Sequence, residues 1–268
     1  MPSAFKIIFC AILIASVCSQ TCLDPNGNPV SWWVQLIFPG SVPGGFAYFD
    51  SSYTAPSFVI EQQDPDAQTT PMTRTLSQIN TINLQSTAWN DEHPSGSKSS
   101  SKAHSKGVYA YNDVSQIGFF IDHSMPAFPA FNGFTVNTTI DSSQSIYGQH
   151  VFCLTLNDDI LGELITKIIP IRPYIYATNL NNPDSINNLM SSGEIEQPNY
   201  NDLFTYKNYT INSTEMRFIF KNGKINGSIF EDGLSQMLQS PILAETWGRP
   251  LQAPSCVQPY PVNNIKLI

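Results

Sequence analysis

Apolar and polar positions alternate in short runs along most of the 268-residue chain, and the runs are separated by Pro, Gly, Asn and Ser. Val30–Phe38 (VSWWVQLIF) is rich in Trp and β-branched residues and is closed by Pro39-Gly40, so it reads as a buried strand. Gly45–Asp50 (GFAYFD) reads as a second strand. Leu76–Leu84 fits either a strand or a short helix, since periodicity does not separate the two over so few residues. Gly107–Tyr111 and Ile117–Asp122 form a hairpin pattern around the turn Asn112–Gln116, and Val151–Leu156 (VFCLTL) is a further strand. Leu161, Leu164, Ile165 and Ile168 then recur at helical spacing, which predicts a helix over 159–168 stopped by Pro170. Asn179–Asn201 is polar and interrupted by prolines, a long loop or a divide between two parts. Beyond it, Met216–Phe220 and Ser228–Phe230 read as strands around Lys221-Asn222-Gly223, and Asp232–Gln239 as a short helix. Strands interleaved with few helices, without a repeat period, indicate an α+β fold.

The first twenty residues break this pattern. Lys6 precedes the apolar run Ile7–Val17, and Ser16-Val17-Cys18-Ser19 supplies small residues for cleavage, so residues 1–20 read as a secretory signal. A run of about 11 apolar residues is too short for a membrane span, which needs roughly 20. The mature chain is then expected in the secretory pathway with no membrane span. Its cysteines are Cys22, Cys153 and Cys256, an odd number that implies one pair plus a spare thiol, or an intermolecular bridge. Asn137, Asn208, Asn212 and Asn226 each open an Asn-x-Ser/Thr sequon, consistent with a glycoprotein.

Composition narrows the chemistry. Charged residues make up 13% of the chain and the net charge is −8, which argues against disorder, a coiled coil or a generally basic nucleic-acid binder. Within that acidic chain, Ser95–Gly107 (SGSKSSSKAHSKG) carries Lys98, Lys102 and Lys106 with no acid between Glu92 and Asp113, a local positive field suited to phosphate. His104 and Lys106, two apart on an extended segment, project to one face, where imidazole and ammonium can meet the same phosphate. The competing reading is a solvated basic loop with a surface histidine, and a bare His-x-Lys does not separate them. His123 follows a hydrophobic strand in Asp122-His123-Ser124-Met125-Pro126 and is either functional at a sheet end or a hydrogen-bonded structural histidine. No His-x-x-His, Cys-x-x-Cys or Asp-rich loop suggests a metal, and no glycine-rich phosphate loop or serine elbow is present, so no metal and no cofactor are expected. Asp158-Asp159 and Glu231-Asp232 sit at predicted helix starts, where carboxylates favour the helix dipole.

Six blocks in order resemble the deoxyribonuclease II family over most of the mature chain. They are Cys22-Leu-Asp-Pro-Asn-Gly-Asn-Pro-Val-Ser-Trp-Trp, His104-Ser105-Lys106-Gly107, Asp122-His123-Ser124-Met125-Pro126-Ala127-Phe128-Pro129, Tyr147-Gly148-Gln149 with Cys153, Pro173-Tyr174-Ile175-Tyr176, and Glu245-Thr246-Trp247 before Cys256. Each block alone is weak; their order is the signal. The resemblance implies a phospholipase D-like, α/β-like mixed sheet flanked by helices, built as two halves, here 21–178 and 179–268. It implies metal-free acid hydrolysis of DNA to 3′-phosphate ends by a pair of histidines, one attacking phosphorus and the other moving protons. His104 would be one of the two, its role as nucleophile or acid left open, with Lys106 on phosphate and His123 supporting the site. It also implies a Cys22–Cys153 disulfide and lysosomal or secreted delivery. The family's second His-x-Lys has no counterpart, because no histidine follows His150. The expectation is therefore a complete first half and a truncated second half, with Cys256 lacking its partner. Such a chain is crippled alone, or works as a homodimer in which each copy gives His104 and Lys106. The rival reading is a catalytically inactive secreted glycoprotein that binds DNA or a surface partner.

Overall fold

A computed structural model describes residues 20–42, 45–55, 57–80, 84–133, 135–179, 204–211, 214–221, 227–244 and 259–264. The signal run before Gln20, the polar stretch after Asn179, the Glu245–Trp247 block, Asn212, Asn226 and Cys256 lie outside the described residues. In chain order the strands are β1 (Cys22–Leu23), β2 (Pro29–Val30), β3 (Trp32–Ile37), β4 (Phe46–Asp50) and β5 (Val59–Glu61). Helix α1 (Pro71–Ser77) follows, then β6 (Gln85–Trp89), β7 (Gly107–Asn112), β8 (Ile117–His123), β9 (Ala130–Asn132), β10 (Thr135–Asn137) and β11 (Gln149–Asn157). Helix α2 (Asp158–Ile168), β12 (Ile175–Asn179), β13 (Phe204–Ile211), β14 (Thr214–Lys221), α3 (Ser235–Leu238), β15 (Ile242–Ala244) and β16 (Val262–Asn264) complete the order.

Eight of these strands form one sheet in the order β12-β6-β7-β8-β11-β3-β4-β5, with every neighbouring pair antiparallel. Alternation along each strand sends side chains to opposite faces. One face buries Trp33, Phe46, Tyr48, Val108, Ile121 and Val151 against Met72 and Leu76 of α1. The other buries Trp89, Tyr109, Phe120, Leu154 and Leu156 against Leu161, Leu164, Ile165 and Ile168 of α2. The fold is thus α+β, a large antiparallel sheet with helices on both faces.

Local chemistry accounts for both helices. Thr70 accepts a hydrogen bond from the backbone N–H of Thr73 at 3.3 Å, and Pro71 follows as the first helical residue, so α1 starts upstream of the ambiguous Leu76–Leu84 run. Asn157 caps α2 by accepting from Ile160 N–H at 3.0 Å. A tight turn, Ile169–Ile171, ends that helix at Arg172, whose φ is 64°.

One pairing differs from the sequence reading. β14 does form where Met216–Phe220 suggested, yet its partner is the preceding β13 rather than Ser228–Phe230. Ser228 instead accepts from the backbone N–H groups of Phe230 and Glu231, and Ile229–Leu234 turns helically into α3. A cap hydroxyl followed by Glu231-Asp232 outweighs the strand propensity of Ile229-Phe230.

Cys22 of β1 is bonded to Cys153 of β11, tying β1 to the large sheet across a sequence separation of 131. Opening a loop of that length is expected to cost about 2–5 kcal/mol. Urea denaturation of Cys22→Ser with Cys153→Ser should show that loss; an unchanged midpoint would mean the crosslink constrains little in the unfolded chain.

Candidate functional site

The candidate residues gather at one end of the large sheet, where β6 and β8 finish and β7, β11 and β12 begin. The loop leading into β7 is braced at three successive points. Ala103 donates its N–H to the Arg172 carbonyl at 3.0 Å, the Trp89 indole donates to Ser105 Oγ at 3.1 Å, and the Lys106 ammonium donates to Asp91 Oδ1. His104 lies between these anchors with its side chain 88% exposed. Gly107 is required next, because a Cβ there would stand 2.3 Å from the Trp89 ring.

His104 and Lys106 do converge, though not on a shared open face. Lys106 is buried and His104 is exposed, and both reach the Asp91 carboxylate: Lys106 pairs with Oδ1, while His104 Nε2 lies 3.8 Å from Oδ2. Asp91 thus places an anion between an imidazole and an ammonium. It was missed in the sequence, where the available signal is the polar run Asn90-Asp91-Glu92-His93 directly after the strand ending at Trp89. Buried Asn90 fixes that run: its side-chain amide donates to the carbonyls of Met125 and Phe128, and its Oδ1 accepts from Glu92 N–H. Of the other loop lysines, Lys98 pairs with Glu92 at 2.8 Å and Lys102 is exposed. The positive field read from sequence is therefore met by acids at two of its three lysines.

His123 ends β8 and is buried behind the loop, its backbone N–H donating to the Lys106 carbonyl at 3.2 Å. Its ring stands edge-on to Phe128, 5.6 Å between centroids. Burial above all, then the charges of Lys106 and His150, lowers its pKa to about 3. His93 is also packed inside, stacked 3.7 Å from Tyr174, and burial lowers its pKa too.

A histidine near 3 when folded and 6.5 when unfolded is neutral in the native protein at pH 5, while the unfolded chain takes up the proton. Stability is therefore lost as pH falls from 6.5 towards 3, by about 2 kcal/mol at pH 5 from this residue. In urea titrations at pH 7 and pH 5, His123→Phe should lose that part of the pH dependence. An equal drop in both proteins would overturn the assignment.

A cleft of about 660 Å³ opens beside the loop, lined by His104, Ser105 and Asp122 and walled by Trp89, Phe152 and Phe218. Asp122 also lies 3.6 Å from His150 Nε2, both about half exposed. Among the described residues, no helix is long and apolar enough to cross a membrane. Of the sequons, Asn137 is exposed in β10 and Asn208 falls within β13.

Relatives named as nucleases are similar in sequence to this chain over most of its length. It is 25% identical to Cell-death-related nuclease 7 of Caenorhabditis elegans over 259 residues, covering 91% of this chain and 67% of that protein. It is 26% identical to Deoxyribonuclease-2-beta of Mus musculus, covering 92% and 73%. To Deoxyribonuclease-2 of Caenorhabditis elegans it is 23% identical, covering 98% and 80%. The sequence profile described as Deoxyribonuclease II matches residues 21–268, so the chain with this loop-borne histidine belongs to the deoxyribonuclease II family of hydrolytic nucleases.

Proposed function

We propose that the chain hydrolyses DNA phosphodiesters without a metal at acid pH, leaving 3′-phosphate ends, with His104 acting directly at phosphorus or on the leaving oxygen. The observation that carries this reading is that His104 and Lys106 both reach the Asp91 carboxylate while His104 lines the neighbouring cleft. An imidazole and an ammonium that hold one pair of anionic oxygens are spaced to hold another. Phosphate takes the place of Asp91 to reach Lys106, while Lys102 and the partly paired Lys98 meet it from solvent. His123, neutral and buried, supports the loop from behind through the Lys106 carbonyl.

The fold is read as phospholipase D-like, with halves at 21–178 and 179–268. Residues 1–20 are read as a signal and Asn137, Asn208, Asn212 and Asn226 as glycosylation sites, which supports a secretory-pathway glycoprotein, lysosomal or secreted. Two-histidine chemistry needs a second proton-moving group, and two paired chains, each giving His104 and Lys106, would supply one.

The test is nicking of supercoiled plasmid by the purified chain at pH 5 in EDTA, beside His104→Ala. Nicking lost in the variant is expected. DNA binding without nicking by the folded chain would overturn the enzyme reading in favour of a binding glycoprotein.

A further inference from the structure

The cleft beside His104 is walled mainly by aromatic and aliphatic side chains, although a phosphate gains nothing from walls that offer its oxygens no donor. Its volume of about 660 Å³ also exceeds what a phosphate alone would fill. We propose that this cleft holds the base of an unpaired nucleotide next to the phosphate that His104 meets, so that the substrate is DNA single-stranded at the cut. This rests on the nuclease reading above and specifies the form of DNA that the reading leaves open.

Strand pairing makes the cleft. Trp89, Gly107, Asp122 and Phe152 are successive cross-strand partners on β6, β7, β8 and β11, so they share one face of the sheet. Gly107 brings no side chain to that row, and the Trp89 ring lies across it, where a Cβ would stand 2.3 Å away. The sheet surface therefore dips at Gly107 over an indole floor, with Asp122 and Phe152 on the far side. Phe120, two residues before Asp122 on β8, shares the face and extends the floor, its ring centroid 6.0 Å from that of Trp89. β14 supplies a further wall: Phe218 stands edge-on to Phe120 at 6.3 Å and parallel to Phe220, with 6° between the planes.

The polar groups in the lining are those a nucleotide would use. His104 and Ser105 belong to the loop read as the phosphate site, whereas Asp122 lies within the aromatic row. A carboxylate there repels a phosphate but accepts from the N–H groups that bases carry. Pairing edges are available only where DNA is unpaired, and base faces meet aromatic rings only where they are unstacked. Lys221 and the Glu215-paired Arg217 add positive charge to the lining, suited to the phosphates that flank a held base. An aromatic surface beside such charge takes single strands without needing a particular sequence, because every base has a π-face.

Removing the bases while keeping the phosphates separates the two parts of the site. His104→Ala, which the nuclease reading leaves unable to cut, is titrated at pH 5 in EDTA with three fluorescent-labelled probes. These are a DNA single strand, the same sequence as a duplex, and a strand of equal length made of abasic tetrahydrofuran phosphates. The single strand is expected to bind about 5- to 100-fold more tightly than either of the others. Phe152→Leu and Phe218→Leu, each added to His104→Ala, should remove most of that advantage and leave abasic-strand binding unchanged. Phe218→Tyr should keep the advantage, and thermal melts check that each variant folds. Equal binding of the natural and abasic strands, an advantage unmoved by both leucine variants, or a parallel loss on all three probes would each overturn the proposal. The wild-type chain is then given a duplex carrying an unpaired bubble, and its cuts are mapped. Cuts concentrated in the bubble are expected; cuts confined to paired DNA would overturn the proposal while leaving the nuclease reading intact. A folded wild-type chain that cuts nothing, while the base-dependent binding persists, would overturn the nuclease reading and leave the cleft as a base-binding site.

Discussion

His104→Ala is expected to leave the protein folded and to remove its metal-free nicking activity at pH 5. The side chain is 88% exposed, so truncating it empties no core and breaks no buried bond. Exposed substitutions of this kind usually change stability by about 0.5 kcal/mol or less. The loss of rate depends on the role of the ring. A group that only moves protons contributes roughly 10² to 10⁴-fold. Removing a nucleophile from a unit that works together costs on the order of 10⁶-fold. A residual rate near the lower figure would identify His104 as the acid, and a rate at background would identify it as the nucleophile. A nicking rate equal to wild type would remove His104 from the reaction altogether.

The sequence was most legible where a pattern is enforced by burial. The hairpin of β7 and β8, the strand β11 and helix α2 all bury a continuous apolar set, so their residues repeat with the period of the element. The site was legible only in part, because the His-x-Lys spacing reports two side chains and says nothing about what meets them. On an extended strand His104 and Lys106 would share a face; they are divided because the strand begins only at Gly107 and three separate bonds bend the loop before it. Asp91 escaped notice because its partner lies fifteen residues away on the neighbouring strand's leading loop, a contact that no local period encodes. The Ser228–Phe230 strand reading failed for the opposite reason, since there a local cap was overlooked.

A loop held at Ala103, Ser105 and Lys106 leaves little freedom for the residue between. Two of these anchors draw on β6 and the run after it: Trp89 holds Ser105, and Asp91 holds Lys106. Asn90, between them, ties the same run to the segment after β8 through Met125 and Phe128. The position of His104 is therefore set by the sheet end as a whole, with the Asp91–Lys106 pair as its charged centre.

Breaking that pair by Asp91→Asn is expected to destabilise the fold by about 3–5 kcal/mol, because the Lys106 ammonium would stay buried without a counter-charge. Lys106 has only 5% of its side chain exposed, so its ammonium depends on the Asp91 carboxylate for a counter-charge. Changing both partners, Asp91→Asn with Lys106→Met, should recover most of the stability, since no uncompensated charge then remains, while DNA cleavage is lost in the double variant, which has no ammonium to meet phosphate. Urea titration measures the first quantity and plasmid nicking the second. Inorganic phosphate sharpens the test of what Asp91 occupies. If the carboxylate fills the position of a substrate phosphate, adding phosphate should raise the melting temperature of Asp91→Asn well above any effect on the wild type, where the position is taken. It should leave the double variant unmoved, because Lys106 no longer supplies the charge. Equal shifts in all three proteins would mean that phosphate binds elsewhere, and would reduce Asp91 to a structural partner of Lys106.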